Sequence, residues 1–156
     1  MQLSQILSMN RIAIDKEGTQ LTQGPEVLAR LSEMLASDGD CDAATVLKLL
    51  IEREHLLSTG IGDGVAIPHT PVPGLVNQKA ALVLCPQGVE FAAIDQQPVK
   101  IFFAVIGPKS AASEHLKILA RLSRLLKSPE TRRRLLESTS SEQAYSLIQE
   151  QEAAPP

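Results

Sequence analysis

The sequence predicts an α/β fold: a mixed central β-sheet flanked by helices on both faces. Residues 79–85 and 99–107 are apolar almost throughout, as strands covered on both faces are. Helical patterns of apolar residues come before these runs, at 24–37 and 42–55, and after them, from residue 113 onward. Strands that first mingle with helices and are then followed by helices indicate one sheet with a helical layer on each side.

The N-terminal half begins with a predicted strand at residues 11–14, RIAI. Pro25 suits the first turn of the helix that follows, which carries a single apolar stripe. Asp42 is placed to cap the second helix, because its carboxylate can accept from a free backbone N–H of the first turn. We then expect a short strand at residues 65–69, VAIPH, which Pro71 and the residues after it end.

The C-terminal half contains the two strongest strand signals and three predicted helices. Only about a dozen residues join the two apolar runs, which is short for a parallel crossover, so we expect an antiparallel pair. The spacing of five leucines predicts the apolar face of the first of these helices: Leu116, Leu119, Leu122, Leu125 and Leu126. Short helices follow from Pro129 and from Ser140, the latter placed as an N-cap. We expect one domain over residues 1–152 and a frayed tail at residues 153–156.

The composition argues against several classes of function. A net charge of −3 gives no electrostatic reason to bind nucleic acid or an anionic membrane, and an aromatic fraction of 3% is too low for base-stacking surfaces. No run approaches the ~20 apolar residues of a membrane helix, and the N-terminus lacks a signal-peptide pattern. We therefore expect a cytoplasmic protein without direct membrane insertion. Cys41 and Cys85 are interpreted as ordinary thiols, and we expect neither a metal nor a cofactor.

One stretch, TGIGDGVAIPHT at residues 59–70, stands out as a candidate site. Its glycines, Gly60, Gly62 and Gly64, lack the spacing of dinucleotide-binding and NTP-binding loops. Alternating glycines let the backbone come close to a ligand or to another segment, although a surface turn fits these residues equally well. In the strand that follows, a period of two places His69 at the end of an apolar edge, where packing holds it and leaves it accessible.

Two further residues are candidates for the same site. His115 lies in the first turn of the helix predicted from Ser113, where the helix dipole favours an anion and a neutral imidazole. Arg53 precedes the glycines and is placed to clamp a phosphoryl oxygen. For both residues a solvated helix end is the alternative. His55, in the charged segment EREH, is interpreted as a surface residue.

Three segments in order resemble the enzyme IIA domains of the bacterial phosphoenolpyruvate phosphotransferase system. They are REHLLSTGIGDGVAIPH (53–69), FAAIDQQPVKIFFAVIGP (91–108) and SEHLKILARLSRLL (113–126). The resemblance is to the fructose/mannitol class, which includes the nitrogen-regulatory IIA proteins, and the second segment is most similar to that regulatory subgroup. The likeness extends over nearly the whole chain.

The resemblance implies a role for each candidate residue. His69, in the IPH motif, matches the histidine that takes the phosphoryl group in that family. His115 matches the histidine that assists the site, and Arg53 matches the arginine before the STG segment. The backbone N–H groups of Gly60, Gly62 and Gly64 are expected to bind the phosphoryl oxygens. Thr70 departs from the family's usual small residue, and its hydroxyl is a further expected donor.

The mechanism expected from this resemblance is a phosphoryl relay. Neutral imidazole, with a free pKa of ~6.5, is a nucleophile without a separate base, and we expect an HPr-like or NPr-like phosphocarrier protein to be the donor. A nitrogen-type or potassium-type regulatory role is the main interpretation. A sugar-specific IIA component that passes phosphate to a IIB domain, a pure regulatory binding module with a protein target, and a structural domain with a degenerate site remain as alternatives.

Overall fold

The computed structural model describes residues 1–56 and 58–154, and within them the chain forms one mixed sheet with six helices around it. The strands are β1 Ile12–Ile14, β2 Gly60–Gly62, β3 Val65–Ala66, β4 His69–Pro71, β5 Lys79–Val89 and β6 Val99–Gly107. The helices are α1 Leu3–Ile6, α2 Gly24–Leu35, α3 Ala43–Leu56, α4 Ala112–Leu126, α5 Pro129–Leu136 and α6 Ser141–Ala153. The predicted α/β fold class is confirmed. Among the described residues, none of the helices is long and apolar enough to cross a bilayer.

The centre of the sheet is the antiparallel pair β5–β6, as the short connection between them predicts. The strand order is β1-β5-β6-β3-β2, and β4 also pairs with β6 beyond the end of β3. β1 runs parallel to β5, and both β3 and β4 run parallel to β6. The two longest strands are therefore shielded by a neighbour along each edge as well as by helices on each face.

The sheet separates two apolar cores. Successive side chains of β6 point to opposite faces, so that Phe102 lies in one core and Phe103 in the other, both fully buried. The first core is closed by α2 and α3, with Leu31 and Leu50 at its centre. The second is closed by α1, α4, α5 and α6, to which α4 contributes Leu122. Helices cover both faces of the sheet, as the sequence predicts.

Two buried cations, Lys79 and Arg11, connect the sheet to the loop after α2. Lys79, the first residue of β5, donates from Nζ to the Leu35 carbonyl at 2.9 Å and forms ion pairs with Asp38, at 3.2 Å, and with Asp40. Arg11 reaches the same Asp38 carboxylate at 3.3 Å. The Lys79 ammonium holds the pKa of Asp40 below its usual range. Because buried charges are costly unless paired, these contacts fix where β5 begins.

The chain between residues 65 and 71 differs from the predicted continuous strand. Pairing with β6 breaks at Ile67 and Pro68, so that β3 ends at Ala66 and β4 begins at His69. Pro68 has no N–H for a ladder, which explains the break. Pro71 does not stop the strand before it, since it is itself the last residue of β4 and pairs with Gly107. β2 and α1 are additional elements that the sequence patterns did not predict.

The buried face of α4 also differs from the predicted leucine face. Its buried residues are His115, Ile118, Leu122 and Leu126, whereas Leu116 is 66% exposed. The predicted last helix is present, and its Ser140 side chain accepts from the Gln143 N–H as an N-cap does. This helix extends to Ala153, the first residue of the predicted frayed tail. Residues 155–156 lie outside the described part of the chain.

The two leucines of α4 are expected to differ sharply in their contribution to stability. Leu122→Ala should lower the free energy of unfolding by about 2–5 kcal/mol, because it removes a fully buried side chain and leaves a cavity. Leu116→Ala, the same change on the exposed face, should alter it by less than about 0.5 kcal/mol. Urea denaturation followed by circular dichroism measures both. Equal losses in the two variants would contradict the observed orientation of the helix.

Candidate functional site

His69 is the first residue of β4, and its ring orientation is set by a backbone group two residues away. Its Nδ1 lies 2.6 Å from the Ile67 carbonyl oxygen. A carbonyl oxygen can only accept, so Nδ1 carries the proton. In the neutral ring Nε2 then holds the lone pair. Because Ile67 is buried and Val105 donates its N–H to the Pro68 carbonyl at 2.9 Å, the backbone that orients the imidazole is itself held.

A chain of hydrogen bonds connects this orientation to the end of α3. The Thr59 N–H and hydroxyl both donate to the Glu54 carboxylate, the N–H at 3.1 Å from Oε1. The Thr59 carbonyl accepts the Ile67 N–H at 3.0 Å, and the Ile67 carbonyl accepts from His69. The end of α3 therefore helps to orient the His69 ring through three successive contacts.

His115 projects from the first turn of α4 and is buried, with 8% of its surface exposed. Its ring centroid lies 5.9 Å from that of His69, with the two planes tilted by 46°. Its Nδ1 lies 3.0 Å from Oε1 of Gln78. The structure thus places side by side the two histidines that the sequence analysis predicted to share a site. The alternative interpretation, a solvent-exposed histidine at the start of the helix, is wrong because His115 is buried.

The electrostatics of the site favour neutral imidazoles. Burial lowers the pKa of His69 from its usual 6.5, and the positive charge of Arg53 lowers it further, while the Ile67 hydrogen bond and the Glu54 charge act in the opposite direction. Burial and the neighbouring His69 lower the pKa of His115. Both rings are therefore uncharged at neutral pH. A neutral imidazole is the form that can act as a nucleophile.

Arg53, in the last turn of α3, lies close enough for its charge to act on His69. It therefore supplies a positive charge to the site. His55, two residues further on, is exposed, as its interpretation as a surface residue predicts.

The glycines build the hairpin β2–β3 that precedes His69. Gly60 lies against Ala93, where a Cβ would be too close, and its N–H donates to the Ser58 hydroxyl at 3.1 Å. Gly62 and Gly64 have φ values of +96° and +76°, which other residues rarely adopt. The glycines therefore shape the backbone beside the site, and their expected binding of phosphoryl oxygens stays a prediction.

Thr70 follows His69 and is buried, with its hydroxyl donating to the Pro71 carbonyl at 2.9 Å. The hydroxyl thus has a partner within its own strand. Its expected role as a hydrogen-bond donor to the phosphoryl oxygens requires that the hydroxyl leave the Pro71 carbonyl, and that role stays a prediction.

Three residues of the site were missed from sequence: Glu54, Thr59 and Gln78. Glu54 and Thr59 lie within the motif region but have no spacing that distinguishes them from ordinary helix-end and loop residues. Gln78 lies 37 positions from its partner His115, and nothing in the local sequence connects them. Within residues 1–56 and 58–154, no group of three or more His, Cys, Asp or Glu side chains is arranged to hold a metal ion.

The fold and the site define a class of protein: a small α/β domain that presents two neighbouring neutral imidazoles and one arginine at an edge of its sheet. The family model for the phosphoenolpyruvate-dependent sugar phosphotransferase system, EIIA 2, matches residues 5–151. The chain belongs to this family and is a phosphotransferase component. The resemblance inferred from the sequence is confirmed.

Relatives and a solved structure agree with this assignment. The chain is 31% identical to a nitrogen regulatory protein of Pseudomonas aeruginosa, over 94% of each chain. It is 30% identical to a PTS system fructose-specific EIIA component of Haloferax volcanii, over 95% of each. The crystal structure of nitrogen regulatory protein IIA-Ntr from Neisseria meningitidis superposes with a TM-score of 0.86 at 28% identity, covering 94% of this chain and 98% of that one.

The lowered pKa values of the histidines make stability depend on pH. Between the lowered native values and 6.5 the unfolded chain binds more protons than the folded one, so stability should fall as the pH is lowered through this window. Urea denaturation at pH about 7.5 and about 5.5 measures the loss. His115→Gln should show a smaller loss than the unsubstituted protein, and His55→Gln, at an exposed position, an unchanged one. A loss that His115→Gln does not reduce would contradict the assignment.

Proposed function

We propose that Nε2 of His69 accepts a phosphoryl group from the phosphohistidine of a carrier protein. The observation that carries the proposal is the 2.6 Å hydrogen bond from Nδ1–H to the Ile67 carbonyl, which leaves the lone pair on Nε2. The neutral state of the ring and its partial exposure support the same role. Membership of the EIIA 2 family supports phosphoryl transfer as the chemistry.

The transfer is an in-line displacement at phosphorus. The Nε2 lone pair of His69 forms the new N–P bond while the N–P bond of the donor breaks, and its electron pair returns to the donor imidazole. Nδ1 of His69 keeps its proton throughout. The phosphorylated ring carries positive charge, which the Ile67 carbonyl stabilises by accepting that N–H.

The neighbouring residues stabilise the charge of the transferring group. Arg53 supplies a fixed positive charge that acts on the phosphoryl oxygens. His115 acts on them through Nε2 once that nitrogen has taken up a proton, because its Nδ1–H is already donated to Gln78. The N–H groups of the glycine segment at residues 60–64 and the Thr70 hydroxyl are further proposed donors. Such transfer depends chiefly on positioning and charge stabilisation.

The proposed donor is an HPr-like or NPr-like phosphocarrier protein, and exposed apolar side chains support docking of a protein here. They belong to segments next to the site: Leu116 follows His115, and Ile94 donates its N–H to the Gly60 carbonyl. The exposed large apolar side chains of the described residues include Leu56, Ile61, Val76, Ile94 and Leu116. Where such side chains adjoin one another they are typical of protein-binding surfaces.

The biological role that we favour is regulatory, of the nitrogen type. The 31% identity to a nitrogen regulatory protein supports it, as does the segment at residues 91–108, whose sequence resembles that subgroup most. Phosphorylation adds about two negative charges beside Arg53, which is enough to make or break contact with a regulatory protein target. The second candidate is sugar uptake through a IIB domain, which the 30% identity to a fructose-specific component supports.

Phosphorylation by a carrier should depend on the two histidines to different degrees. Incubation with a phosphorylated HPr-type carrier should give phosphate that is acid-labile and alkali-stable, and none should remain in His69→Ala. His115→Gln should still be labelled, at a rate reduced by about a hundredfold, because it loses a group that stabilises the transition state.

His55→Ala is the matched control and should be labelled at the unsubstituted rate, because His55 is exposed. Circular dichroism verifies that all variants fold. Label that persists in His69→Ala would overturn the assignment of the acceptor, and an unchanged rate in His115→Gln would remove His115 from the mechanism.

A chase experiment separates the two roles. The phosphorylated protein, mixed with a fructose-type IIB domain, should retain its phosphate if the role is regulatory. Loss of phosphate to the IIB domain within seconds would favour the transport role instead. Phosphorylated carrier protein mixed directly with the IIB domain provides the control for transfer that bypasses this chain.

A further inference from the structure

Gln78 is a buried residue immediately before β5, and its amide contacts His115. Only 5% of its surface is exposed, and its Oε1 lies 3.0 Å from Nδ1 of His115. An amide oxygen only accepts hydrogen bonds, so the contact requires the proton of the imidazole on Nδ1. Nε2 of the neutral His115 ring is then without a proton. The tautomer is thus set by a side chain 37 residues away.

The same two residues hold unpartnered nitrogen atoms. In the described ranges, 1–56 and 58–154, Nε2 of His115 and Nε2 of Gln78 are the buried side-chain atoms without a hydrogen-bond partner. Buried polar atoms of this kind destabilise the folded protein unless something supplies the partner. The ring centroids of His115 and His69 are 5.9 Å apart, so a phosphoryl group on His69 would bring oxygen atoms close to these unpartnered nitrogens.

Space for the Gln78 amide is provided by Gly107. A Cβ at Gly107 would overlap the Gln78 side chain, whose amide atoms are its nearest neighbours. Gly107 closes β6 and pairs with Pro71, two residues after His69. On the other side, Lys79 anchors the adjacent backbone through Asp38 and Asp40. Gly107 thus leaves room for the Gln78 amide, and the ion pairs of Lys79 fix the backbone next to it.

We propose that Gln78 is a positioning residue of the phosphoryl site, which keeps the His115 proton on Nδ1 and presents Nε2 as a bare nitrogen towards the phosphoryl group of His69. The inference rests on the proposed function. A bare nitrogen and a phosphoryl oxygen both accept, so they can bond only when a proton lies between them. Phosphorylation of His69 therefore takes up one proton from solvent, shared between His115 and the phosphoryl oxygen, and loss of the phosphoryl group returns it.

The charged groups that act on this proton lie on several elements. His69 on β4 is the titratable neighbour of His115, and Arg53 and Glu54 on α3 act on His69. Glu114 and Lys117 on α4 itself are exposed. The negative charge of a phosphoryl group on His69 favours the protonated His115 ring, whose Nδ1–H still donates to Gln78.

The ring-nitrogen chemical shifts of His115, measured by 15N NMR on the full chain, test the proposal. In the unphosphorylated protein above pH 7, Nδ1 should be protonated and Nε2 bare. In Gln78→Met, which removes the acceptor at similar size, the two tautomers should mix and the two shifts converge. Gln78→Glu, which restores an acceptor, should return the proton to Nδ1. Gln87→Met, the same change at an exposed position of β5, is the matched control and should leave the shifts unaltered.

Kinetics provides the second readout. Gln78→Met should slow phosphorylation of His69 by about tenfold at saturating carrier, with KM changed by less than about twofold, because orientation and not docking is lost. Gly107→Ala should reproduce this effect by displacing the Gln78 amide. Gln87→Met should react at the unsubstituted rate.

The two readouts separate this inference from the proposed function. A bare Nδ1 in the unphosphorylated protein, or a Gln78→Met variant with unchanged tautomer and rate, would overturn the role of Gln78 even if His69 is phosphorylated normally. Failure of the unsubstituted protein to accept phosphate would overturn the proposed function, while the tautomer measurement would still report on Gln78.

Discussion

The antiparallel pairing of β5 with β6 is the interaction on which the other elements depend. Both strands are covered on both faces, so a shift of either would open two cores at once. β6 is also the backbone partner of the segment that carries the site. Val105 pairs with Ala80 on one side and with His69 on the other. His69 is thus held in register directly against a fully buried residue of the central strand pair.

The parts of the fold that were predictable are those whose pattern is local. The strands β5 and β6 are apolar because both faces are buried, and this pattern depends on no distant residue. The break between β3 and β4 follows from Pro68, which has no N–H to donate, but that this N–H would have been needed for pairing becomes evident only once the segment lies beside β6. The buried face of α4 was misassigned at Leu116 because the leucine pattern overlooks His115, a polar residue that occupies a core-facing position.

The residues of the candidate site likewise divide into those that are close in sequence and those that meet only in the folded protein. His69 and the glycines are close in sequence, and Arg53 precedes them by one short segment, so a motif can indicate them together. Gln78 and His115 meet only after β5, β6 and α4 have packed. Yet both histidines obey one rule, since each places Nδ1–H on an amide oxygen, of Ile67 in one case and of Gln78 in the other. The rule is chemical, and only three-dimensional structure reveals it.

The residues of the site come from opposite layers of the molecule. Arg53 and Glu54 lie in the last turn of α3, which packs in the first core, whereas His115 lies in the first turn of α4, which packs in the second. His69 lies in the sheet that separates these two cores, near Arg53 of one layer and His115 of the other. A charge placed on His69 therefore acts on residues of both layers at once. A partner protein that approaches from either face of the sheet would meet a surface whose charge depends on the state of His69.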